Sequence, residues 1–209
     1  MIASVLTAFL WALSGIFARR SLLYLGSQRA NLARQSLALV LLGLWAHSLG
    51  QGLHGQSLGI LFLSGVVGFG LGDWALFEAF PRIGSALTML LSQCLAAPIA
   101  AVIEWFWLGT AMTFLQVRSS AVILAGVALA IAPAHQSDIP AGHRVTGITF
   151  GILAAFGQAS GAVMSRYAFH LAGSTGFALD GITAAYQRLW GGVLCVGALL
   201  LVRQLFRAW

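Results

Sequence analysis

Seven charged side chains lie inside or at the ends of long apolar runs, where charge is expensive. They are Arg20, Arg34, Asp73, Glu78, Glu104, Arg166 and Arg188. An ionised side chain at the centre of a bilayer costs about 3 kcal/mol on insertion scales, so such residues pair or line a cavity. Arg34 with Asp73 is the pair expected to meet at one depth. Glu104, Arg166 and the neighbourhood of Arg188 form a second expected cluster, on the opposite face. Asp73 is the carboxylate best placed by depth to carry a proton. Burial and a nearby arginine pull its pKa in opposite directions, so coupling to a proton stays open. The plain alternative is that the arginines snorkel to the headgroups, and for Arg20 and Arg166 this is the stronger reading.

Uncharged polar residues add a candidate solute path. Ser85, Thr88 and Ser92 share a helical stripe with Gln93 beside it, and Pro98 follows as an expected kink. Trp11 and Ser14 share a stripe near the N-terminus, and Gln158 and Ser160 occupy the matching part of a later run. Ser, Thr and small residues are also ordinary packing positions between membrane helices.

Several chemistries are excluded. All 11 basic residues are arginines, so no lysine can form a retinal Schiff base. Neither a metal nor a cofactor is expected. His47, His54, His135 and His143 fall at or beyond helix ends with no ligand pair on one helix. Cys94 and Cys195 read as small apolar fillers. The G-x-x-x-G patterns at 68–72, 147–151 and 157–161 follow no strand, so they read as close helix contacts rather than phosphate loops. The net charge of +6 is scattered singly, unlike a nucleic-acid footprint.

The elements that must position these residues are membrane helices. Of 209 residues, 59% are hydrophobic and 8% charged, too few charges to cover a water-facing surface. Spans of roughly the length needed to cross hydrocarbon lie near 2–18, 35–49, 58–80, 85–107, 118–133, 147–169 and 183–202. Trp105 and Trp107 close the fourth as an interfacial belt. Arg19 and Arg20 follow the first run instead of preceding it, so it reads as a helix rather than a cleaved leader. The expected fold is an all-α polytopic membrane bundle embedded in a lipid bilayer.

The stretch SGIFARR at 14–20 returns as SGAVMSR at 160–166. Beyond it, Arg34 aligns with Arg188. Five helices separate the copies, and an odd number inverts the second one, as in transporters built from inverted-topology repeats. The expected division is a first five-helix repeat at 1–134, a connector at 135–146 and the first two helices of a second repeat at 147–209.

The residues Trp11, Ser14, Gly15 and Arg20, then Arg34, then GVVGFGLGDWALFEAFPRIGSALTMLLSQCLAAPIAAVIEWFWLGT (65–110) make the chain resemble the drug/metabolite transporter superfamily, in its EamA-like branch. The resemblance implies ten helices in two five-helix repeats. Against that, this chain reads as a fragment or as incomplete by itself. The family's Leu-Gly-Glu at the end of helix 4 is here Leu108-Gly109-Thr110. The implied function is transport of small metabolites or drug-like solutes by alternating access, with export as the expected direction. The expected setting is the plasma (inner) membrane of a bacterium, with a homodimer as a candidate assembly. An intramembrane enzyme and a non-transporting helical subunit are the alternatives. Orientation stays open, because arginine placement puts the N-terminus outside while the resemblance implies inside.

Overall fold

The computed structural model describes residues 2–131 and 140–208. His135 and residues 135–139 of the expected connector lie outside them. The described chain is helical throughout. In order it forms α1 (Ile2–Leu25), α2 (Ser27–Ser48), α3 (Leu58–Gly65), a π-helical stretch (Val66–Gly72), α4 (Asp73–Leu108), α5 (Phe114–Ile131), α6 (Ala141–Ser174) and α7 (Gly181–Ala208).

Among the described residues, helices long and apolar enough to cross a membrane cover Val5–Leu25, Leu58–Leu108, Ala141–Ser174 and Gly181–Phe206, with a shorter apolar helix at Phe114–Ala130. The span from Leu58 would run ~76 Å as one rod at 1.5 Å per residue, far more than the ~30 Å hydrocarbon core. It turns at Gly84, whose φ of 76° and ψ of 168° leave the helical region. Only glycine takes this conformation without strain. Contacts with α6 show the reversal. Before the turn, partners run oppositely: Gly72 meets Gly157, and Ile83 meets Gly147. After it they run together: Leu91 meets Gly151, and Glu104 meets Arg166. We therefore divide α4 into α4a (73–83) and α4b (85–108). Pro98, where a kink is expected, lies within α4b, and the non-helical dihedrals fall at Gly84, between the expected spans 58–80 and 85–107.

The α2 helix is missing from the apolar spans because its sequence is polar. It still crosses, because it joins the end of α1 to the start of α3 on the other face. Its Gln28, Asn31 and Gln35 are buried against the bundle, which removes their cost at the lipid. The described residues thus form seven successive helical passes of the bundle. Several ends differ from the sequence reading: α2 begins at Ser27 rather than near residue 35, and α7 runs to Ala208 rather than 202. The α1 helix continues past Arg20 to Leu25, and α6 begins at Ala141, so His143 and Arg144 are helical rather than loop.

Small residues set the core. A methyl group on Gly157 would sit 2.5 Å from the Gly72 Cα, and one on Gly161 would sit 3.0 Å from the Gly68 Cα. The π-helical stretch and α6 therefore approach backbone to backbone. Helices α2 and α7 pack antiparallel: Gln35 faces Gly192, Gly43 faces Tyr186, and Gly50 faces Thr183.

Candidate functional site

The spacing of three and four residues puts Gln28, Asn31 and Gln35 on one face of α2, with Arg34 at its edge. The π-helical stretch delivers Asp73 opposite them, 2% exposed. The Arg34 guanidinium donates to the Asp73 carboxylate. From the far side, Gln158 Nε2 on α6 donates to Asp73 Oδ1 at 2.9 Å. Gln35 Nε2 donates to the Phe69 carbonyl at 2.6 Å and to Asn31 Oδ1 at 3.0 Å. A π-helical turn shifts the backbone bonding register, and a side chain from α2 takes up one of its carbonyls. Arg188 on α7 lies over the Phe69 ring at 4.5 Å and acts on Asp73 electrostatically. One carboxylate thus gathers groups from α2, α6 and α7 in the bundle interior.

The remaining expected charges behave differently. Glu104 meets Arg166 at 2.5 Å, but the Arg166 side chain is 62% exposed. Arg188 does not join that pair as expected. Its helix face turns it inward to Phe69. Glu78 meets Arg82 at 2.8 Å, Arg203 at 3.8 Å and Gln28 Nε2 at 2.9 Å. Arg20 is exposed and reaches no acid among the described residues.

The uncharged candidates divide. Trp11 and Ser14 line a narrow cavity with Arg34, Phe77, Phe80 and Met89. Thr88 and Ser92 are buried, but their hydroxyls donate to carbonyls of their own helix, Gly84 at 2.6 Å and Met89 at 3.3 Å. Gln93 is exposed, one helical step off that buried stripe. Ser160 is half-buried beside Gly161. Among the described residues, no group of three His, Cys, Asp or Glu could hold a metal.

The two mouths are unlike. On the face where α2 ends and α7 begins, buried Gln187 donates to the Gly52 and His54 carbonyls at 2.9 and 3.0 Å. Gln51 donates through its side chain to the Ala178 carbonyl and through its backbone to Thr183 Oγ1 at 3.2 Å. Asp180 caps α7, accepting from the Ile182 and Thr183 backbone N–H groups at 2.9 Å each. Partial burial pushes the Asp180 carboxyl up, but the Thr183 hydroxyl and these backbone donors outweigh it and hold it below its usual value. The opposite face carries an open cleft between Gln28, Arg29, Glu78 and Arg203.

Sequence reasoning missed Gln35, Asn31, Gln28 and Gln187. Their signal was present in α2: three polar residues at helical spacing around an arginine mark a face that lipid would not tolerate. The π-helical stretch had only its glycines as a sign.

No curated protein and no solved structure matches the chain. A family model does: the EamA-like transporter family matches residues 1–132. That match covers α1 to α5, including Arg34 and Asp73, and the chain belongs to the EamA-like transporter family.

Proposed function

We propose that the chain moves small organic solutes across the membrane by alternating access, with export as its working direction, in a bacterial plasma (inner) membrane. The observation that carries this reading is the link from Arg34 through the buried Asp73 to Gln158, which ties α2, α4a and α6 at one point. Membrane proteins retain such costly groups where a solute or ion must pass. The laced mouth at Gln187 and the open cleft at Glu78 support a state closed on one face and accessible from the other. In this reading rocking of α6 and α7 against α1 to α5 opens the closed mouth, and Asp73 is the group through which a proton couples. Thr88, Ser92, Trp11 and Ser14 border the path.

The test is solute flux into proteoliposomes holding the purified chain, using labelled amino acids, nucleosides, organic acids and quaternary amines. We expect flux above protein-free vesicles for at least one class. Arg34→Gln and Asp73→Asn should each lower it ~tenfold or more, and Arg20→Ala, at an exposed cation that reaches no acid among the described residues, should leave it unchanged. Equal effects of the three variants, or no flux for any class, would refute the reading.

A further inference from the structure

The buried centre has an unbalanced charge and an unbalanced set of hydrogen-bonding groups. Arg34 is ion-paired with Asp73, while Arg188, over the Phe69 ring, has no acid within ion-pair distance among the described residues. Arg34 Nε, Arg188 Nε and Asn31 Nδ2 are buried donors without an acceptor, against two unpartnered acceptors on the same face of α2, Gln28 Oε1 and Gln35 Oε1. An unmatched buried charge is costly unless something pairs with it. What the centre lacks is negative charge and acceptor atoms.

The same Arg34 borders the cavity walled by Trp11, Phe77, Phe80 and Met89, and its guanidinium lies 5.5 Å from the Phe77 ring centre. The walls beside this cation are aromatic and apolar. The cavity is about 10 Å³ in this state, so a solute with a charged head and an apolar body would enter only as these walls part.

We infer that the transported solute is an amphipathic organic anion, its acidic head paired with the Arg34–Arg188 centre and its apolar body against Trp11, Phe77 and Phe80. This rests on the transporter reading above and names its substrate class. Arg188 supplies the charge that Asp73 leaves unmatched. A cationic solute of the same shape meets a centre already positive and is excluded.

The test uses two ring compounds of opposite fixed charge, benzenesulfonate and phenyltrimethylammonium, with the full chain in proteoliposomes. Benzenesulfonate should enter at least ~tenfold faster than the cation, and Arg188→Gln should remove most of that flux. Arg188→Lys keeps the charge and should retain part of it. A second variant guards against simple misfolding. Asp73→Asn removes the competing carboxylate, so it should lower the KM for benzenesulfonate ~threefold or more while lowering turnover. A merely structural role for these residues would not move the two constants in opposite directions. If phenyltrimethylammonium moves and benzenesulfonate does not, or if Arg188→Gln leaves benzenesulfonate flux unchanged, the anion assignment is overturned and the transporter reading stands. If neither probe moves, and no solute in the wider panel moves, both fall together.

Discussion

Arg34–Asp73 and Arg166–Glu104 are both arginine–carboxylate pairs between different helices. The first sits where α2, α4a and α6 converge, with Asp73 buried and held by Gln158 and Arg34. The second sits at the far end of α4b, with Arg166 mostly exposed and Glu104 partly so. The difference lies in what surrounds each pair. A buried pair that loses one partner leaves an uncompensated charge, at a cost of ~3–5 kcal/mol. An exposed pair that loses one partner is resolvated, and such pairs contribute ~0–1 kcal/mol. Identical chemistry therefore marks a site in one place and a helix edge in the other.

Several variants would break or sharpen this contrast. The largest effect is expected from Asp73→Asn or Arg34→Gln, which should lower solute flux ~tenfold or more while Arg166→Gln stays within ~threefold. Equal losses at the two pairs would erase the distinction. Next is Gly161→Leu. Its side chain would drive into the Gly68 backbone and the Ser64 carbonyl, separating α6 from the π-helical stretch. Overpacking costs ~1–3 kcal/mol or more, so thermal unfolding in detergent should fall by several degrees, and flux should fall as Gln158 withdraws from Asp73. A variant that melts normally would show that the glycine contact does not hold the centre together.

A smaller effect belongs to the closed mouth. Asp180→Ala removes the α7 cap and should cost ~1 kcal/mol in a melt. The sign of its pH dependence follows from the lowered carboxyl. The cap's contribution is present above the usual carboxylate range and is lost as pH falls through the lowered value. Wild type should therefore lose stability on acidification more steeply than Asp180→Ala, and parallel curves would remove the cap from the account. The smallest effect is Glu104→Gln, expected within ~0.5 kcal/mol of wild type in the same melt.

The sequence was most legible where one helix carried the signal. Seven apolar runs, the recurrence of Ser-Gly and arginine, and the depth of Arg34 and Asp73 could all be read from spacing. Glu104 and Arg166 could be placed on one face by counting passes. Arg188 was misplaced with them because counting gives the face at which a helix begins, not the direction in which a side chain points. The α7 helix rotates Arg188 toward Phe69, and that rotation comes from Gly191 and Gly192 lying against Phe62 and Phe69. Gln93 shows the same limit, since one helical step separates it from buried Ser92.

What the sequence by itself determined is the class: a low-charge helical membrane chain with Arg34 and Asp73 set inside its hydrophobic stretches. Bilayer length, the cost of buried charge and helical periodicity are local rules, and each operates on one segment at a time. The reversal between the spans 58–80 and 85–107 was legible in the sequence, and the structure fixes its position at Gly84. Only the tertiary structure decided that a π-helical stretch offers the Phe69 carbonyl to Gln35, and that Arg188 turns inward over the Phe69 ring. These depend on glycine surfaces from separate helices meeting at backbone distance. A contact between residues ~90 positions apart leaves no periodicity in either segment to reveal it.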